Sequence, residues 1–402
     1  MPMPPPMGSS PPAPAGWLPE APNQGWIYRE RVPPALVGLQ VSAFYAARHR
    51  HSDRAVWRAR LAAGEMQRNG AVLREDQPLE VGDRLAWHRP PWIEGSVPAS
   101  WPVVFDDGDL HVIDKPAGLP VLPAGGWLEH TVLRLLERRH SGDPGGIPRP
   151  VHRLGRFTSG LLVCARRPPT RAWLSARLRE STVAGLGPDP FPSPGLDHGL
   201  EPIPGLGAAA DRLAEPPLAA QPAFSNPASD MPGPPDGAYR PLRPAPATAA
   251  AGCRKLYRAL LVPGVLALEP GESLPITVPI GRRPHPQLGR IWCAADGREP
   301  GDLAARSTLT LLERSPRADL MQVAIASGRP HQIRIHCAAL GAPLLGDALY
   351  GPGGQAAADA RPGDGGYRLQ AWRFDLELPG GEELALEVPH PLQLDEVPEQ
   401  SG

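Results

Sequence analysis

The sequence predicts a two-domain α+β protein interrupted by one long structureless insertion. Three observations lead there. Between Leu36 and Trp92 two helix-like segments are followed by a hairpin-type turn and short strand-like runs. Strand-like blocks then recur from Val103, Gly160, Tyr257 and Val323, with a helix-like segment at His130–His140. Proline supplies 56 of 402 residues, about 14% against a usual ~5%. It lacks an amide N–H and locks φ, so that much of it cannot be fitted into helices and sheets.

Taken in order, residues 1–32 read as a disordered arm and residues 33–93 as a small domain. In that domain Val41–Arg48 and Ser52–Gly64 have helical character. Ser52 or Asp53 can cap the second helix, and Gly64 can end it. Asn69-Gly70 is a hairpin turn signal, and the runs AVL and VGDRLAWHRP close the unit as strands. The second domain is read as 97–180 plus 253–390. It opens with strand, acidic turn, strand and a Lys-Pro-Ala-Gly turn over VVFDDGDLHVIDKPAG. Leu135 and Leu136 in HTVLRLLERRH fall on one helix face with Val132, and GLLVCAR is a buried strand. Residues 181–252 contain 16 prolines and no periodicity. Such a segment buries too little apolar surface to offset its ordering entropy. Residues 391–402 read as a tail.

A net charge of −1 with 41% hydrophobic residues does not by itself announce a nucleic-acid partner. The four cysteines are far apart and form no C-x-x-C pair, which points away from a zinc ribbon or redox motif. No apolar run reaches the ~20 residues of a membrane span. The N-terminus has neither a basic n-region nor an apolar h-region. A cytoplasmic or nuclear monomer, with no metal, no cofactor and no membrane partner, is expected. The local charge is more telling. Arg48, Arg50, Arg54, Arg58, Arg60 and Arg68 cluster in the first domain, and eight arginines lie between Arg149 and Glu180 with Glu180 as the single acid. Arginine runs of this kind are either solvated faces or phosphate-contacting surfaces.

Four blocks carry the chemistry: DLHVIDKPAGLPVLP at 109–123, RPVHRLGRFTSGLLVCAR at 149–166, KLYRAL at 255–260 and SGRPHQIRIHCAALGAPLLGDALYG at 327–351. In content and order they resemble the RluA family of RNA pseudouridine synthases, and the wording of the second block resembles a plant and algal branch of it. The first domain resembles, more loosely, the alpha-L RNA-binding domain that often precedes such enzymes. The resemblance implies a mixed, mostly antiparallel sheet with flanking helices around one cleft, and isomerisation of uridine to pseudouridine in structured RNA without cofactor or metal. That reaction breaks the N1–C1′ bond, turns the uracil and joins C5 to C1′. It calls for a carboxylate at C1′ or C2′, an aromatic platform for the detached base and a cation beside the carboxylate.

By that resemblance Tyr257 is the platform and Arg334 the cation, with Arg153 and Thr158 flanking the catalytic position. Arg156, Lys115, Arg54 and Arg58 join Arg153 and Thr158 as RNA-contacting candidates, although Lys115 could equally support its turn. Asp347 resembles the family's loop-holding aspartate. His331 and His336 sit five apart, on opposite faces of a strand, which argues against a metal pair. The catalytic aspartate itself is replaced by Gly155. With that partner missing, Arg334 is expected either to be solvated by water and RNA phosphate or to be approached by another acid, and Gly155 to have the freedom of a positive φ. Either another carboxylate is recruited, or the chain binds RNA without turnover.

Overall fold

A computed structural model describes residues 15–49, 52–184, 253–360 and 366–394. The long insertion read at 181–252 lies outside these residues except for its first four, which end a helix at Pro168–Ala184. The described chain forms two compact units. One spans Gln24–Trp92, and the other comprises the segments before and after it.

The Gln24–Trp92 unit is built as its sequence suggests, with one extension. Helices run over Val41–Arg48 and Arg54–Ala62, the second capped by the Asp53 carboxylate, which accepts from Val56 N. Asn69 (φ 53°) and Gly70 (φ 88°) make the turn between strands Met66–Arg68 and Ala71–Leu73, in the left-handed region that Asn-Gly tolerates. The four-stranded sheet is completed by Arg84–Arg89 and by Trp26–Arg31. Trp26–Arg31 is thus a strand within the segment that the sequence alone reads as a disordered arm. Two more pieces of that arm, Trp17–Leu18 and Ala21–Pro22, pair with Val97–Pro98 and Ile93–Glu94 in the other unit. These strands are short and Pro-flanked, and their partners lie about 70–80 residues away. No local pattern marks them. Phe44, Tyr45, Trp57, Leu61 and Trp87 are buried at the centre of the unit.

The larger unit is organised by one ten-stranded sheet. Its main path runs Ser273–Ile276, Ser307–Arg314, Asp319–Ile325, Cys253–Leu261, Leu369–Glu377, Thr158–Ala165, Leu110–Lys115 and Val103–Asp106. All pairs on this path are antiparallel except Thr158–Ala165 with Leu369–Glu377. The layout expected from the resemblance is therefore present. One line of register crosses it: Lys115, Gly160, Ala371, Tyr257 and Val323 are successive cross-strand neighbours. Gly160 (φ 100°) is required there, because a Cβ would run into the backbone of Ala371. Apolar clusters cover the sheet. Val112, Leu161, Val163, Leu174 and Phe374 share one cluster, while Leu309, Met321, Val323 and Ile333 share another. The tail is ordered at its start, where Leu392 is buried and its amide donates to Gln370.

The segment HQIRIH is a helix, not a strand, spanning Gln332–Ala339. Alternating Ile333 and Ile335 imitate period-two patterning, but burial of Ile333, Ile335, Cys337 and Ala338 on one packed element decides the outcome. His331 (φ 56°) sits in the left-handed region at its start.

Candidate active site

The site is assembled where two parallel strands begin. Thr158 pairs with Leu369, so the residues just before each strand are also neighbours. This brings the Gly155–Thr158 turn, closed by Thr158 N donating to Gly155 O at 3.1 Å, against Tyr367. The Thr158 and Tyr367 hydroxyls are 3.2 Å apart. Gly155 is exposed and has ordinary negative-φ geometry, so the expected left-handed freedom is not what the glycine supplies. It supplies space. A Cβ at 155 would overlap the Tyr367 hydroxyl and lie 3.2 Å from Thr158 Oγ1.

Of the two outcomes expected for Arg334, the approach of another acid is the one found. The Arg334 Nε and Nη2 donate to the two oxygens of Asp347 at 2.7 and 2.6 Å. Asp347 also accepts from the amides of Leu349 and Tyr350 at 3.0 and 3.1 Å, and its side chain is wholly buried. The loop aspartate thus both shapes its loop and satisfies the guanidinium. Arg334 keeps its charge: burial alone would lower its pKa, but Asp347 and the flanking phenols raise it. The guanidinium lies over the rings of Tyr367 (4.1 Å) and Tyr350 (4.9 Å). Tyr367 is the functional neighbour that sequence reasoning missed. It lies in no motif and reaches the site only through the parallel register.

Tyr257 is half-buried and packs with Phe157 against the cluster that holds Tyr367 and Leu369. Burial pushes its phenol above the ordinary range. This suits a neutral stacking surface.

The remaining candidates separate into two groups. Lys115 is fully buried, and its ammonium donates to the carbonyls of Pro116, Leu119 and Arg156 at 2.7, 2.8 and 3.1 Å. It supports the turn and is inaccessible to RNA. Burial lowers it to about 7, against the opposing pull of Asp114. Thr158 is also buried and holds Tyr367 rather than RNA. Arg156 is half-buried and stacked over Trp127 (4.4 Å) and Phe157 (4.9 Å), with Nε donating to Gly118 O at 3.0 Å. Arg153 is exposed, and its charge is felt at His331. In the Gln24–Trp92 unit Arg54 is exposed, while Arg58 is exposed but 3.3 Å from Asp76. The two arginine runs are less bare than their sequences suggest. Arg48, Arg68, Arg149, Arg166 and Arg177 all have acidic partners. His331 Nδ1 meets the Tyr350 hydroxyl at 2.7 Å, and His336 is buried between Ser307 Oγ and Val278 O, both at 2.9 Å. Both are engaged within the helix environment, and the strand geometry used to separate them does not apply.

Comparison with known proteins gives this cleft its family. The sequence model described as RNA pseudouridylate synthase matches residues 109–184. An RNA pseudouridine synthase of Synechocystis, itself uncharacterized, is 34% identical over 87% of this chain and 94% of its own. RNA pseudouridine synthase 5 of Arabidopsis thaliana is 31% identical over 88% of this chain and 89% of its own. The rice protein of the same name is 31% identical over 85% and 80%. With its four motif blocks gathered at one sheet and relatives matched over nearly their whole length, the chain belongs to the RluA-type RNA pseudouridine synthases.

Proposed function

We propose that this chain isomerises uridine to pseudouridine in RNA at the cleft beside Gly155. The observation that carries the reading is convergence. The turn from 153 to 158, Tyr257 and the Arg334–Asp347 pair come from segments about 80–190 residues apart, and they meet around Tyr367 and Phe157. Tyr257 offers a half-buried ring for the turned uracil, where stacking is worth roughly 1–3 kcal/mol per base. Arg334 supplies a fixed positive charge beside the sugar. Arg153 and Arg156 border the same turn and suit phosphate or flanking-base contacts. The Gln24–Trp92 unit, with eleven arginines against seven acids, is proposed as an alpha-L-type RNA-binding domain using Arg54 and, less, Arg58. Pseudouridine mapping of cellular RNA with and without this protein tests the reading. At least one uridine should lose its modification when the protein is removed, and an unchanged map contradicts turnover. A second reading, RNA binding without isomerisation, is favoured by the bare backbone at Gly155. It predicts the unchanged map together with retained RNA affinity.

A further inference from the structure

The family reaction needs a basic oxygen at the sugar, and Gly155 provides none. The position is nevertheless occupied. The Tyr367 hydroxyl stands where a side chain at 155 would begin, steadied by Thr158 Oγ1 at 3.2 Å. The ring is only 7% exposed, with Arg334 over its face at 4.1 Å and Phe157 at its edge, 5.9 Å between centroids. A ring so enclosed cannot swing aside cheaply. Among the described residues the charged and titratable groups around Tyr367 are Arg334 on the Gln332–Ala339 helix, Tyr350 on the following loop and, through its pair with Arg334, Asp347.

We propose that Tyr367 supplies the reacting oxygen that a carboxylate at 155 would otherwise supply. This rests on the isomerase reading above. As the N1–C1′ bond breaks and its electron pair leaves on the uracil, the Tyr367 phenolate takes the proton from C2′. The turned uracil then adds through C5 to C1′ while the phenol returns that proton to C2′. The C5 hydrogen leaves to solvent, N1 gains a proton, and the phenolate is restored. Because the hydroxyl and a side chain at 155 share one volume, Gly155→Asp alone should fit poorly. Gly155→Asp combined with Tyr367→Phe should fit, because loss of one oxygen opens the space.

Tritium release from 5-³H-uridine RNA, measured on the full chain and three variants, tests this. Tyr367→Phe should lower release at least tenfold while RNA affinity and melting stay close to wild type. Gly155→Asp should melt roughly 3–10 °C below wild type, the range expected for an overpacked site in a domain of this size. Adding Tyr367→Phe to it should recover most of that loss and restore release. The pH profile separates chemistry from packing. A base that must first lose a phenolic proton gains rate as pH rises, so wild-type release should climb between pH 7 and 9. The Gly155→Asp/Tyr367→Phe protein, using a carboxylate, should be flat there. Wild-type rates in Tyr367→Phe, or a flat wild-type profile, would overturn the assignment. No release by wild type at any pH, with RNA bound, would instead overturn the isomerase reading on which it rests.

Discussion

Lys115 and Arg334 are both cations buried close to the Gly155 turn, and they meet the cost of burial in different ways. Lys115 has no carboxylate in contact and spends its three N–H donors on backbone carbonyls, one of them from Arg156. Arg334 is 12% exposed and held by a two-point contact to a fully buried carboxylate. An ammonium can satisfy three separate carbonyls because its donors diverge. A guanidinium is planar and best matched by a carboxylate, which leaves its faces free for Tyr350 and Tyr367. One cation ties loops together, and the other presents charge and a flat surface to the site. Their pKa directions differ accordingly: Lys115 is lowered by burial, and Arg334 is raised by its partners.

The largest effect should come from breaking the Arg334 pair. Asp347→Asn leaves a buried guanidinium without its counter-charge and should cost about 3–5 kcal/mol. Chemical denaturation of Asp347→Asn and of Arg334→Met/Asp347→Leu checks this. The double variant should be more stable than the single one, and the reverse order would mean that Asp347 acts mainly through its loop amides.

Lys115→Met should cost somewhat less, about 2–4 kcal/mol, because carbonyls orphaned in the interior lose their donors. It also carries a pH signature. With the folded pKa lowered to about 7, the unfolded chain holds a proton that folded Lys115 has released between pH 7 and the free-lysine value near 10.4. Stability from this group therefore rises across that window. The rise should disappear in Lys115→Met. Persistence of the same slope would assign it to other groups.

At acid pH the buried histidines give a slope of the same sign in a lower window. Burial holds His336 at about 4 and His152 at about 3, and both act as neutral rings. Their folded pKa values lie below the unfolded one, so stability is full above pH 6.5 and is lost as pH falls from 6.5 towards 4. Asp114, raised to about 6 by burial, works the other way. The histidines should prevail, giving a loss on the order of 1–3 kcal/mol by pH 4.5 in denaturation experiments. A flat profile would show that these rings protonate in place.

The smallest effects belong to the exposed arginines. Arg54→Gln should reduce the salt slope of RNA binding by about one ion equivalent, and Arg58→Gln by less, since Asp76 already lies beside it. Equal or absent changes would remove the Gln24–Trp92 unit from the RNA interface.

Much of this was legible in the chain. The helices at Val41–Arg48 and Val132–Arg139, the Asn69-Gly70 turn and the strand-rich blocks follow from local periodicity and turn chemistry. Tyr257 and Arg334 were singled out by the specificity of their motifs. What escaped depends on long-range pairing. Trp17–Leu18 and Ala21–Pro22 exist only through distant partners. Asp347 meets Arg334 because the helix at Gln332–Ala339 faces the loop that follows it. Tyr367 comes to Gly155 because two strands more than 200 residues apart in sequence run parallel. For Lys115, RNA contact and turn support stayed unseparated because a sequence shows charge but not burial.

The central claim is that this cleft, with a glycine at 155, still isomerises uridine. The most direct measurement is tritium release by the unaltered protein from 5-³H-uridine RNA, with pseudouridine quantified in the same samples. The account predicts one tritium released per pseudouridine formed. RNA bound at the same concentrations, with neither tritium nor pseudouridine above the no-protein control, would contradict it.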